Sequence, residues 1–326
     1  MYRITLTLLV AVTISACGGG SSSGDDFNGN PPVADANLKI DAANGPAAAK
    51  LSYESAEMNA GLGNMMMANG GLILGGRADV AKALQGQASK VLDITRQQAV
   101  TIGPQTTPCL VNGSIIVTGE LASPFGLSPG DTFTVESVEC DDGVDQIVHG
   151  QLDLTVVSFS GDFFAGLYNL QMSMEMIDFQ VITPADTLTS NGDVTVSLDT
   201  TQSPQVSASV SGGSIVIDSI SSSETLSAFG SQQTVDAGIS PAPYTWSSYG
   251  TLDSTQLPGL IKYTTPVTFE GEDVDFPYTG ELLVEGDNSS ARLIAVDNVN
   301  VLIEFDYDGD GTIDETLETT WVDLKG

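Results

Sequence analysis

Residues 170–181 read LQMSMEMIDFQV, and the period of this stretch decides the fold. Leu170, Met172, Met174 and Met176 alternate with Gln171, Ser173 and Glu175, so the side chains divide between an apolar and a polar face with the period of two of a half-buried β-strand. Beyond Met176 the apolar phase moves to Ile177, Phe179 and Val181, as one extra residue in a strand would make it. The alternation recurs on both sides: Phe133 and Val135; Leu152, Leu154 and Val156; Val194, Val196 and Leu198. Strand-like runs continue through 205–218, 261–269, 280–285, 291–296, 299–306 and 315–322. Between runs lie Asn112-Gly113, Asp142-Gly143, Asn191-Gly192 and Gly212-Gly213, dipeptides suited to hairpin turns. The stretch 235–260, with Pro241, Pro243 and Pro258, reads as a loop crossing.

Upstream the period changes. Residues 46–67 and 77–99 are Ala- and Met-rich, and Val80, Leu84, Val91 and Ile94 recur at helical spacing. Asn69-Gly70-Gly71 and Gly75-Gly76 separate the two predicted helices, and Met65–Met67 reads as core filler at the end of the first. The expected fold is mainly β with N-terminal helices (α+β): a large curved antiparallel sheet or sandwich covered by two helices. The expected organisation is a signal peptide over 1–16, a flexible tether over 17–35, a helical segment over 36–105 and an antiparallel β domain over 106–326. No fixed repeat period points to a propeller or solenoid.

The first residues, MYRITLTLLVAVTISAC, carry one positive charge at Arg3, an apolar run too short to span a bilayer, and then small residues. Ile14-Ser15-Ala16-Cys17 resembles the lipobox of bacterial lipoproteins. The resemblance implies a thioether-linked diacylglycerol on Cys17 and an acyl chain on its amine, enough chains for stable anchoring. Gly18 stands where an aspartate would mark inner-membrane retention, so the resemblance implies an outer-membrane protein facing the periplasm or the cell exterior. Residues 18–32, GGGSSSGDDFNGNPP, have the composition of a flexible tether.

Acidic residues outnumber basic ones 42 to 10, for a net charge of −32, which disfavours nucleic acid and anionic surfaces as partners. With Cys17 assigned to lipid, Cys109 and Cys140 are an even pair in an oxidising compartment and are expected to form a disulfide. Such a loop stabilises by roughly 3–4 kcal/mol in the chain-entropy model. Zinc is the weaker reading, because His149 is the single histidine and no CxxC occurs.

Residues 305–315, FDYDGDGTIDE, place Asp306, Asp308 and Asp310 two apart, then Gly311, Thr312 and Asp314. The spacing resembles the calcium loops of EF-hands and dockerins, with Asp306, Asp308 and Asp310 at the first three side-chain positions and Thr312 at the carbonyl position. Leu317 stands where those loops carry a closing acid, and the flanks read as strands. Two readings stand: a structural Ca²⁺ held by Asp306, Asp308, Asp310, Thr312 and Asp314, or an acidic β-turn. Asp141-Asp142 with Asp145, and Glu270 through Asp275, lack such spacing and read as solvated turns.

No GxSxG, HExxH, Walker or dinucleotide glycine loop occurs, so no catalytic or cofactor-binding residue is singled out. Asp199 and Asp253 each precede a hydroxyl residue but lack the glycine that follows the aspartates of acid proteases. The expectation is a non-enzymatic, membrane-anchored envelope module that binds an apolar ligand or an envelope partner. The alternatives are a calcium-stabilised structural or adhesion-like module and, behind it, a hydrolase using paired carboxylates.

Overall fold

The computed structural model describes residues 35–63, then Val80, Ala83, Leu84, Gly86 and Gln87, then 101–325 except 124, 125, 144, 145, 164 and 273–275. The signal peptide, Cys17, the tether up to residue 34, Met65–Met67 and most of the predicted second helix lie outside the described residues. Val80, Ala83, Leu84, Gly86 and Gln87, within the range predicted for that helix, are helical, and all but Gly86 are buried.

Fourteen antiparallel strands form one sheet in strict chain order. They are β1 (Thr101–Pro108), β2 (Asn112–Glu120), β3 (Thr132–Asp141), β4 (Ile147–Asp162), β5 (Leu167–Ile182), β6 (Thr187–Asp199) and β7 (Gln205–Asp218). The second half comprises β8 (Ser223–Asp236), β9 (Pro243–Ser254), β10 (Ile261–Glu272), β11 (Thr279–Gly286), β12 (Ser289–Ala295), β13 (Asn300–Asp306) and β14 (Glu315–Thr320). Every connection is a hairpin, and β1 does not pair with β14, so the sheet is open. One face is apolar and buried, the other Ser-, Thr- and Gln-rich. A membrane barrel shows lipid an apolar outer band and keeps its lumen polar; here the apolar face is the interior one.

The sheet bends along a line of bulges. Register breaks fall between Ser137 and Cys140 on β3, His149 and Gln151 on β4, Met176 and Phe179 on β5, and Gly192 and Thr195 on β6. The line continues to β8, where the pairing with β9 breaks between Ser227 and Gly230. Glu139, Asp178 and Ala228 have φ of 48°, 46° and 45°, the left-handed conformation of a bulged residue. Aligned bulges give a wide sheet concerted curvature, and this one becomes a trough. The bulge expected after Met176 is present, with one correction: Ile177 and Asp178 both point outward, and the apolar phase resumes at Phe179 and Val181.

Helix α1 (Gly45–Gly63) lies in the trough. The turn that leads into the helix is held by the Asp41 carboxylate, which accepts the Ala43 and Asn44 amides at 2.8 and 3.1 Å. Fifteen of its nineteen residues are buried; only Pro46, Ala47, Lys50 and Glu54 form a more open stripe. Gly45 abuts Phe305 on β13, and Gly63 meets Ala208 and Val210 on β7. A nineteen-residue helix is about 28 Å long, matching six interstrand spacings of about 4.8 Å, so α1 runs across the strands. A five-residue helix, α2 (Trp321–Lys325), follows β14 and contacts α1.

Four expectations are corrected. Asn191-Gly192 and Gly212-Gly213, expected at hairpin turns, lie inside β6 and β7, where Asn191, Gly192 and Gly212 are paired in the sheet. The β region begins at Thr101, not at 106, because β1 is an edge strand with most residues exposed and no apolar alternation. Residues 243–254 are strand β9 and not a loop: Pro241 falls in the preceding turn, Pro243 at the strand's first residue, and inward positions held by Ser248, Gly250 and Ser254 mask the period. The final strand ends at Thr320, and Trp321 belongs to α2.

Candidate functional site

The trough interior is filled by the chain itself. Tyr53 of α1 packs against Trp246, Phe269 and Trp321 with ring centroids 6.0, 5.9 and 4.8 Å apart. Trp321 also stacks on Phe276 at 5.8 Å and donates its indole N–H to the Asp297 carbonyl at 3.0 Å. Beside this cluster, Lys325 Nζ meets Glu57 Oε1 at 2.5 Å and lies over the rings of Phe276 and Tyr53 at 5.0 and 5.7 Å. Burial pushes the Glu57 carboxyl up to about 7, against the opposing pull of the Lys325 ammonium. Lys50 Nζ donates to the Lys325 carbonyl at 2.9 Å, a second tie between α1 and α2.

Further along α1 the packing turns polar. Asn59 Nδ2 donates to Tyr263 OH at 2.8 Å, and Ser231 Oγ donates to the Asn59 carbonyl at 2.8 Å. The small inward residues of β8 and β9 let the helix approach closely, and the Ser231 and Tyr263 hydroxyls take up the Asn59 carbonyl and side-chain amide that this approach removes from water. On the other half of the sheet Met172, Met174 and Met176 are only 2–3% exposed, so they line no open cavity.

Among the clefts that the described residues open to solvent, two bear on function. One, of about 420 Å³, crosses the outer face of β4–β8 over the rows Gln171–Ser197–Ser209–Gln232 and Asn169–Asp199–Ser207–Thr234. The side chains of these two rows are neutral hydrogen-bonding groups apart from Asp199. The other, of about 410 Å³, sits where the β5–β6, β7–β8 and β9–β10 turns meet, and is lined by Thr183, Asp186, Ile217, Ser222, Glu224 and Gln256 among others.

In the β13–β14 turn, carboxylate oxygens of Asp306, Asp308 and Asp314 lie within 4.8 Å of one another. Asp306 is buried, and its two oxygens accept the Gly309 and Gly311 amides at 2.7 and 2.9 Å. Burial alone would raise the Asp306 carboxyl, but the amides around it outweigh that and hold it below the usual range. Asp314 accepts the Tyr307 amide at 2.7 Å. Asp310 is not one of the three converging acids; it accepts the Thr312 amide at 2.7 Å. Of the four predicted acidic ligands the fold therefore gathers three, each turning one carboxylate oxygen towards a common point that could hold a hard cation such as Ca²⁺.

Cys109 and Cys140 are joined as expected, tying the β1–β2 hairpin to the end of β3. Asp142 Oδ1 accepts the Leu110 amide at 3.1 Å beside the bridge. His149 is exposed on the outer face of β4. Asp199 ends β6 near one rim of the sheet and Asp253 lies near the end of β9 at the other, so they make no carboxylate pair. Comparison with family models, with curated protein sequences and with solved structures finds no match to this chain.

Two features escaped the sequence reading. The Glu57–Lys325 pair joins residues 268 apart, and neither neighbourhood carries a motif. The outer cleft needs the cross-strand register, because Gln171, Ser197, Ser209 and Gln232 become neighbours only once four strands are aligned.

Proposed function

We propose that this chain is a non-enzymatic envelope module, held to the outer membrane through lipid on Cys17, that binds a partner through the outer face of its sheet. The observation that carries this reading is the filled trough: the concave surface on which a carrier would hold an apolar ligand is occupied by the chain's own helix α1. Of the two partner classes expected from sequence, this favours an envelope component over an apolar ligand. The cleft over β4–β8 offers amides and hydroxyls, chemistry suited to a neutral polar surface.

Photo-crosslinking in cells tests it. A photoreactive side chain at Gln232, in the cleft, is expected to give one discrete adduct, while the same group at Thr316, on the edge strand β14, gives none. Equal, diffuse labelling from both positions contradicts the reading.

The acidic turn supports an accompanying structural role for calcium. Asp306, Asp308 and Asp314 would hold the ion and staple the last hairpin, with affinity at the weak end near 10⁻⁴–10⁻³ M because no closing acid stands at Leu317. Millimolar calcium is expected to raise the thermal midpoint of the wild type and leave Asp314→Asn unmoved; a wild-type midpoint indifferent to calcium and chelator contradicts it.

A further inference from the structure

We propose that the rim formed by the β5–β6, β7–β8, β9–β10, β11–β12 and β13–β14 turns is the membrane-facing surface of the domain, with Ile220 dipping into the lipid interface. The proposal rests on the reading of Cys17 as the lipid anchor. In a meander, alternate hairpins fall at the same end, so these five turns share one rim. Hydrogen bonds join the first three of them. The Ile220 amide donates to Asp186 of the β5–β6 turn at 3.1 Å, and the Ser223 amide to Thr255 of the β9–β10 turn at 3.0 Å.

The described chain begins on this same rim. The Asn37 and Leu38 amides donate to the Leu260 carbonyl at 3.0 and 3.1 Å, and the Asp287 amide donates to the Leu38 carbonyl at 2.7 Å. Gly259 and Gly286 leave the space this seat requires: a Cβ on Gly286 would stand 2.4 Å from the Leu38 carbonyl oxygen, and one on Gly259 2.7 Å from Asn37 Oδ1. The exit of the chain towards Cys17 is thereby fixed.

Length then chooses the rim. Seventeen residues separate Cys17 from Asp35, and a coil of their Gly- and Ser-rich composition has a typical span of about 20–25 Å. Strands β9 and β10, beside the exit, have twelve residues each, about 40 Å from rim to rim. Facing the opposite rim to the membrane would stretch the tether along the whole strand length. Facing the exit rim stretches nothing.

Exposure of apolar side chains does not by itself choose, since the opposite rim shows Ile239 at 55% and Val322 at 68%. On the exit rim Ile220 is 79% exposed at the tip of the β7–β8 turn, close to the chain exit, a side chain suited to the bilayer interface. The acids of this rim, among them Asp186, Asp287 and Asp308, would be repelled by anionic headgroups, so the matching surface is a zwitterionic one.

The test exploits the native tryptophans, Trp246 and Trp321, which are 4% and 0% exposed and shielded from a quencher in lipid. Full-length protein carrying Ile220→Trp or Ile239→Trp is matured in cells and reconstituted into phosphatidylcholine vesicles brominated high on the acyl chain. The N-terminal peptide is weighed in the same preparation. The expected result is a diacylglyceryl mass on Cys17, loss of the added emission for Ile220→Trp, and retention of it for Ile239→Trp. Lipidated protein in which the added emission of Ile239→Trp is quenched as much as, or more than, that of Ile220→Trp overturns the rim assignment alone. A peptide without lipid overturns the anchor reading, and the proposal with it.

Discussion

Glu57 is a carboxylate placed where water is scarce, between Tyr53, Glu54 and the Lys325 ammonium. Its carboxyl sits near 7 in the folded chain against 4.5 for the free group, so between these values the native state holds a proton that the unfolded chain has released. Native binding of the extra proton means that stability falls as pH rises through the window, by an amount on the order of a few kcal/mol. The expected outcome is that chemical denaturation shows the wild type losing stability from pH 5 to pH 8, while Glu57→Gln shows a distinctly shallower slope. Equal slopes would place the titration elsewhere. Gly150 is a second decisive residue. It has φ of +106°, and a Cβ there would stand 2.2 Å from the Asp178 carbonyl oxygen, at the centre of the bulge line. Gly150→Ala is expected to cost more than about 2 kcal/mol, because strain and a backbone clash add, and Gly213→Ala, where no atom lies near, well under half of that. Similar losses from both would mean that the bulge line does not constrain the sheet.

At the scale of elements, legibility in the sequence followed the contrast between the two faces of each strand. Strands β3 to β6 put Val, Leu, Met and Phe inward and Ser, Thr, Gln and Glu outward, and their period could be read directly. Strand β9 hid because its inward positions include Ser248, Gly250 and Ser254; Ser248 lies beside Asn59 of α1, and Gly250 leaves room for Tyr263 and Leu226 of the neighbouring strands. Strand β1 hid because an edge strand has little to bury; its Pro104 and Pro108 blunt the edge against further pairing. Helix α1 was legible as a helix, but not as a core element. Its Ser52, Ser55, Glu57 and Asn59 are polar and interrupt any apolar stripe, yet all four are buried in the trough. The disulfide could be read from cysteine count and compartment. Half of the acidic turn could be read as well: spacing located the acids, while convergence of Asp306 and Asp308 with Asp314, and not with Asp310, depends on the positive φ of Gly309 and Gly311.

Taken whole, the molecule is a wide sheet bent by its bulges around a helix that it buries on nearly every side. The two halves of the sheet differ in what the described residues place on them: α1 lies against β6–β13, while the inward methionines of β5 are buried beside that span. An open sheet of this width leaves two edges, and at β14 the chain turns back through α2 to tie Trp321 and Lys325 to α1. Filling of the trough is what separates a partner-binding module from a carrier of apolar ligands, and a native mass spectrum of the full mature chain, isolated from its own envelope in calcium-containing buffer, addresses it most directly. The account predicts the mass of the lipidated chain alone, or of that chain with calcium. A further non-covalent mass of several hundred daltons, retained through gentle desolvation and lost when Met172 and Met174 are replaced by larger side chains, would contradict it.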